Sequence, residues 1–261
     1  MIRLNKKIAL ITGASEGIGK SIALKFASEN INLYLLSRSK DKLLKLKSLI
    51  IKKYSNCEVI IIPFNMENEF SNKIYNFCKK RMGLPNILIN NSGGPEPGNF
   101  LKIKKKNWDK TINRNLMSVI NLSTIFSKKM IKEKWGRLIT ISSTVAKQPS
   151  PIMVQSATVR AATLAFNKSI SFDLAKYNIT NNTILLGGVE TKRLKKLIKL
   201  QSKKNKIDIK KYKNKLLSSI PAGRFADPDE IASLVNFLVS SEADYINGQS
   251  IVIDGGLSKF I

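Results

Sequence analysis

A short apolar run over residues 8–12 ends in a loop holding Gly13, Gly17 and Gly19 and passes directly into a helical pattern over residues 18–28. That junction constrains the fold more than any other feature of the chain. A strand that hands its carboxyl end to glycines and then to a helix N-terminus is the start of a βαβ unit, and the pattern repeats downstream. Residues 33–37, 59–64, 87–90, 138–142 and 179–185 read as further apolar strands, and residues 249–253 close the series. Between them, helical periodicity covers residues 41–53, 69–81, 108–132, 152–176 and 228–239. Apolar strands alternating with helices predict a parallel sheet covered on both faces. The expected fold is a doubly wound, Rossmann-type α/β domain whose ligand sits beyond the strand carboxyl ends.

The 261 residues suit one large domain, residues 1–261, and no repeat or Pro-rich or Gly/Ser-rich linker divides them. Residues 1–7 run into the first strand without a long apolar stretch, so neither a secretory leader nor a membrane span is expected, and the reading is a soluble cytoplasmic protein. Cys57 and Cys78 are the only cysteines and there is no histidine, which predicts free thiols and no metal site. Lys and Arg number 45 against 18 acidic residues, a net charge of +27. Such a charge raises nucleic acid as a partner. The lysines are, however, spread over nearly every expected helix, and the densest run, residues 192–215, alternates cations with Leu and Ile at helical spacing without interleaved aromatics. That run reads first as an amphipathic helix with a solvated face, which makes nucleic-acid binding the weaker reading.

In the glycine loop, Gly13 permits a tight turn, Gly17 lets the backbone approach a pyrophosphate, and Gly19 lets the helix pack against the sheet, with its N-terminus facing the anion. At the end of the second strand stand Ser37 and Arg38. A carboxylate there would select NAD through the ribose hydroxyls, whereas Arg accommodates a 2′-phosphate, so NADP(H) is favoured over NAD(H).

Several segments occur in the chain order of a known family: Thr12-Gly13-Ala14-Ser15-Glu16-Gly17-Ile18-Gly19, Asn90-Asn91-Ser92-Gly93, residues 108–116 ending near Asn115, residues 136–143, and Asp254-Gly255-Gly256. Together they resemble the short-chain dehydrogenase/reductases, in particular the branch that reduces 3-oxoacyl-carrier-protein thioesters. The resemblance implies an oxidoreductase whose cofactor lies on Thr12, Gly13, Ser15, Gly17, Ile18 and Gly19, then on Ser37, Arg38, Asn65 and Met66, and on Asn91, Ser92 and Gly93. It assigns the carboxamide end of the nicotinamide to Val189 and Thr191, and substrate orientation to Ser143. It gives Asn115 the role of kinking a long helix and anchoring a water in a proton relay.

One motif departs from that pattern. Where the family has Tyr-x-x-x-Lys, this chain has Ser156-Ala157-Thr158-Val159-Arg160. A serine hydroxyl is too weak an acid to replace the phenol unaided. Arg160 shares a helical face with Ser156 and can keep the ribose contacts and the positive field, but a guanidinium does not readily relay protons. Tyr177 and Tyr212 are substitutes only if folding brings them near. The leading reading is reduction of a carbonyl or an activated double bond with a water as acid, held by Ser143, Ser156 and Asn115. Residues 192–217 fall where relatives carry a substrate lid, whose cations would attract an anionic thioester, and the C-terminal signature implies a homotetramer. A cofactor-binding protein without turnover stays open as the alternative.

Overall fold

The computed structural model describes residues 4–67 and 71–260. Seven parallel strands, β1 (Ile8–Thr12), β2 (Asn32–Ser37), β3 (Val59–Pro63), β4 (Ile87–Asn90), β5 (Gly136–Ser143), β6 (Ile179–Leu186) and β7 (Ser250–Ile253), lie in the order β3-β2-β1-β4-β5-β6-β7. The chain leaves β1 for one edge through β2 and β3, then returns to β4 on the other side of β1. This reversal places a crevice above the carboxyl ends of β1 and β4.

Period-two alternation within each strand supplies both faces of the sheet. Ala9, Ile11, Leu33, Leu35, Ile87, Ile89, Ile139 and Ile141 point into one core. Helices α1 (Gly17–Ser28), α2 (Lys40–Lys53) and α9 (Pro228–Val239) cover it with residues such as Phe26, Leu43 and Val235. Leu10, Tyr34, Leu36, Leu88 and Leu138 point the other way, under α3 (Ser71–Lys79), α5 (Ser118–Glu133) and α6 (Val154–Ala175). The remaining helices are α4 (Lys105–Ile112), α7 (Lys192–Lys204) and α8 (Ile209–Ser218). Cys57 and Cys78 are buried free thiols. No helix among the described residues is long and apolar enough to cross a membrane.

Three elements differ from the sequence expectation. The helix expected over 108–132 begins at Lys105 and is interrupted by a widened π turn at Asn113–Met117, where the Ser118 amide reaches back to the Asn113 carbonyl. The amphipathic run at 192–215 is two helices: Asn205 ends the first, and Lys206 adopts a left-handed conformation at φ 54°. Strand β6 is not simply apolar, because Thr180, Asn181, Asn182 and Thr183 are all buried. Several of their polar groups are taken up by partners distant in sequence, while Thr180 Oγ1 and Asn181 Oδ1 are buried without a hydrogen-bond partner among the described residues. Asn181 Nδ2 donates to the Asn167 carbonyl (2.9 Å), Asn182 Nδ2 to the Ile246 carbonyl (2.7 Å), and Asn167 Nδ2 to Thr183 Oγ1 (2.9 Å). Glu69, where the third helix was expected to begin, lies outside the described residues, as do residues 1–3.

Candidate active site

A cleft of about 460 Å³ opens above the carboxyl ends of the strands. Its floor is the glycine loop. Gly13 and Gly17 sit at φ +59° and +56°, which side-chain-bearing residues rarely adopt. A Cβ on Gly13 would lie 2.6 Å from the Asn91 carbonyl oxygen, and one on Gly19 would lie 2.3 Å from the Gly13 carbonyl oxygen. Loop, helix start and the end of β4 are therefore in backbone contact. Thr12 Oγ1 donates to the Asn91 carbonyl and accepts from its amide, both at 2.8 Å, while Asn91 Nδ2 reaches the Thr12 and Gly13 carbonyls at 3.2 Å. Thr12 and Gly19 thus hold the loop from behind. Gly13, Ser15, Gly17 and Ile18 line the cleft itself. Glu16 precedes α1 without capping it, so the helix's first amides are left without a side-chain acceptor at the cleft floor.

The end of the cleft above β2 and β3 is lined by Ser37, Arg38, Ser39, Lys42, Asn65 and Met66. Ser37 Oγ is buried without a hydrogen-bond partner, an orphan hydroxyl facing the place a ribose would take. Among the described residues no carboxylate pairs with Arg38. Glu16 is held by Lys42 at 2.8 Å, so its charge is offset where it lies and a second cation stands near Arg38. Asn65 Oδ1 accepts from the Glu67 amide at 3.2 Å, leaving its amino group for another acceptor.

At the other end, α6 presents Ser156 and Arg160 one turn apart. Arg160 Nε donates to Ser156 Oγ at 3.1 Å, and its Nη1 donates to the Ile141 carbonyl at 3.2 Å. Burial first, then the nearby Arg193 and Arg114 cations, pull the Arg160 guanidinium down to about 10, which leaves it charged at neutral pH. Ser143 lines the cleft beside them, and its Oγ accepts from the Val145 amide at 3.4 Å. Asn91, Ser92, Gly93, Val189 and Thr191 complete this end. Thr191 also caps α7, its Oγ1 accepting from the Leu194 amide at 3.2 Å.

Asn115 is behind the cleft wall. Its Nδ2 donates to Ser92 Oγ (2.7 Å) and to the Gly93 carbonyl (3.2 Å) from within the π turn. There it borders a second, much smaller cavity of about 10 Å³, shared with Thr140, Ser142, Arg160 and Thr163. Two buried hydroxyls on that cavity, Thr140 Oγ1 and Ser142 Oγ, have no hydrogen-bond partner. A polar void with unpaired hydroxyls and room for one water is where buried water is ordinarily held.

None of the six tyrosines lines the cleft, so Tyr177 and Tyr212 do not replace the phenol. Tyr177 packs on the core under α3, α5 and α6. Of the segment 192–217, α7 borders the cleft through Lys192, Arg193, Leu194 and Leu197, and α8 does not. Sequence reasoning missed Lys42, Gly94, Arg114 and Arg193 as lining residues. Lys42 was signalled by Ser39, which caps α2 and turns its first residues toward the loop. Arg193 follows Thr191 by two residues and was hidden among the lysines of α7.

The family model for the short chain dehydrogenases matches residues 7–201. The chain belongs to the short-chain dehydrogenase family. Within that family it is 33% identical over 259 residues to the NADPH-dependent reductase BacG of Bacillus subtilis, covering 99% of this chain and 100% of that protein. It is 32% identical to the 3-oxoacyl-[acyl-carrier-protein] reductase FabG of Thermotoga maritima, covering 98% and 99%. Among solved structures, L-sorbose reductase from Gluconobacter frateurii with NADPH and L-sorbose superposes with a TM-score of 0.93 at 28% identity, covering 99% and 98%. The crystal structure of YwfH, an NADPH dependent reductase involved in bacilysin biosynthesis, also gives 0.93, at 32% identity and with 98% and 100% covered.

Proposed function

We propose that this short-chain dehydrogenase is an NADPH-dependent reductase of a carbonyl or an activated double bond, in which water rather than a phenol delivers the proton. The observation that carries the reading is the pairing of an open nucleotide cradle with the Ser156–Arg160 hydrogen bond and the orphan hydroxyls behind it. The residues present fit the cofactor. Uncapped amides at the start of α1 meet a pyrophosphate, Ser37 Oγ lacks an acceptor or donor that a ribose would supply, and Arg38 with Lys42 offers two cations to a 2′-phosphate. Two of the relatives above carry NADPH in their names, which agrees with that choice.

When bound, NADPH supplies a hydride from C4 of its nicotinamide. The chain does the rest. Thr191 and the Val189 backbone hold the carboxamide, and Ser143 orients the substrate oxygen. Arg160, kept in place by Ser156 and the Ile141 carbonyl, stabilises negative charge as it develops on that oxygen. A water held between Ser143 and Ser156, beside the Arg160 cation, gives up the proton, and the hydroxide left behind is reprotonated from solvent through water in the cavity bordered by Asn115, Thr140 and Ser142. Substrates of the 3-oxoacyl thioester kind fit the same chemistry, with the basic segment 192–217 as lid, of which α7 borders the cleft.

Assembly as a homotetramer and a cytoplasmic location belong to the same proposal. Exposed Phe172 on α6, Phe237 on α9 and Val252 on the edge strand β7 offer apolar surface for copies of the chain, which light scattering of the purified protein would register as four subunits. A screen of NADPH oxidation with ketones, enones and 3-oxoacyl thioesters tests the activity itself. Turnover with any class bears it out, and none across the three with tightly bound NADPH makes this a binding protein without turnover.

A further inference from the structure

Two guanidinium groups converge at the inner end of the cleft with no carboxylate between them. Arg193, in the first turn of α7, donates one bond, Nη2 to the Pro95 carbonyl at 2.8 Å. Arg160 uses Nε and Nη1 on Ser156 and Ile141. Both groups face one spot: a Cβ added at Gly94 would lie 3.2 Å from Arg193 Nη2, whose second hydrogen is not used by Pro95, and 3.5 Å from Arg160 Nη2, which makes no hydrogen bond to the described residues. Among the described residues neither arginine has a carboxylate partner. Glu96 is the acid close enough to act on Arg193, and its own ion pair is with Lys196, at 2.8 Å on the surface. Arg114, the third cation nearby, is already matched by Glu67 at 3.4 Å. Like charges held together out of water repel, and both Arg160 and Arg193 have their charged forms disfavoured by burial. Such an arrangement persists where an anion completes it.

The cofactor's own anions are provided for elsewhere. The pyrophosphate has the start of α1, and a 2′-phosphate has Arg38 and Lys42, at the opposite end of the cleft from Ser143 and Ser156. Met153, Leu194 and Leu197 line the same cleft, the two leucines on the helix that carries Arg193. The cleft therefore combines paired N–H donors with apolar side chains.

We infer that the substrate is itself a carboxylate, with its acid group within a bond or two of the reducible carbonyl or double bond, clamped by Arg193 and Arg160 over Gly94 while its apolar body lies on Met153, Leu194 and Leu197. The planar fork of a guanidinium matches a carboxylate with two parallel N–H bonds, which fixes orientation as well as charge. Arg160 then serves both the acid group and the oxygen that gains charge. For a 2-oxo acid, the carbonyl carbon takes the hydride and its oxygen a proton from water, the hydroxide so formed takes a proton from solvent, and a 2-hydroxy acid leaves as NADPH becomes NADP⁺. The inference rests on the reductase reading for the reaction, but the clamp can be tested by binding alone.

Three probes separate the possibilities: 2-oxooctanoate, its methyl ester, and the pantetheine thioester of 3-oxooctanoate. Calorimetric titration into protein saturated with NADP⁺ should give at least tenfold tighter binding for the free acid than for either of the others. Arg193→Met should erase that preference and leave NADP⁺ affinity within twofold, and Arg193→Lys should retain part of it. Gly94→Ala, which narrows the clamp, should weaken the acid and not the ester. Equal binding of acid and ester, or an Arg193→Met variant that loses NADP⁺ instead of the acid, overturns the inference. The activity reading fails separately: if the acid is preferred in binding but no probe oxidises NADPH, the clamp stands and the reductase does not. If acid and ester are both reduced at equal kcat/KM, the reverse holds.

Discussion

Replacing Gly19 by alanine adds one methyl group to the start of α1, at a point where the backbone leaves no room. The new Cβ would lie 2.3 Å from the Gly13 carbonyl oxygen, 2.8 Å from Asn91 Nδ2 and 2.9 Å from the Ala14 Cα. Comfortable non-bonded contacts lie near roughly 3.5–4.0 Å, so the overlap exceeds an ångström. Two of the three atoms are backbone and no rotamer relieves them, which puts the cost at or above the upper end of the usual range for overpacking, about 3 kcal/mol. In a domain of this size that corresponds to a fall in Tm of about 6–12 °C. The displacement also moves the uncapped amides of α1 away from the cleft floor, so NADPH should bind at least tenfold more weakly. Gly93→Ala is the internal control, because a Cβ there meets nothing within 4 Å. Its Tm should match wild type even if the new methyl, which faces the cleft, weakens the cofactor. Differential scanning calorimetry and NADPH titration on both variants decide the matter. A Gly19→Ala protein with wild-type Tm and affinity would show that the contact between loop and helix does not hold the cradle.

Other consequences follow from single contacts. If Ser156 and Arg160 form a working site, Ser156→Tyr with Arg160→Lys should lower NADPH-dependent turnover by tenfold or more; activity appearing from nothing in this variant would mean that the native pair is inactive. Arg160→Met should abolish turnover without lowering Tm at pH 7–8. Burial holds the folded-state value near 10, below the ordinary 12.5, so the charge costs stability throughout the range below about 10, and the cost is relieved as pH rises through that value. A fall in Tm of several degrees at pH 7–8 would contradict this. Arg137 is fully buried, stacked on Trp135 and paired with Asp244. Asp244→Ala leaves that cation without its counter-charge and should cost about 3 kcal/mol in urea unfolding, at the low end of the range for buried pairs because Asp244 is 42% exposed. No change in the unfolding midpoint would refute it.

Most of the fold was legible because it rests on local signals. Apolar runs at residues 8–12 and 87–90 give strands β1 and β4 at those bounds, and Pro228 after Asp227 marks the start of α9, where Asp227 and Glu230 cap reciprocally. The cofactor side was legible for the same reason: Gly13, Gly17 and Asn91 sit within a few residues of strand ends. What could not be read depends on contacts distant in sequence. The buried side-chain amides in the middle of β6 find partners in Asn167 and in residues 246–249, which no pattern within the strand discloses. An interruption of the long helix at Asn115 was expected from the family resemblance, but its form, a π turn over Asn113–Met117 from which Asn115 bonds Ser92 and Gly93, has no signal in the helical periodicity. Arg193 meets Arg160 only because α7 crosses the cleft mouth, and in the sequence it is one cation among forty-five.

A working pyridine-nucleotide cradle, its nicotinamide end engaged although the phenol is absent, underlies every step of the proposed reaction. Isothermal titration of the purified protein with NADPH, NADP⁺ and NADH at fixed ionic strength tests it most directly. Saturable binding of one nucleotide per chain, tighter for NADPH than for NADH and different for NADPH and NADP⁺, is the predicted result. No binding of any of the three at millimolar concentration would contradict it.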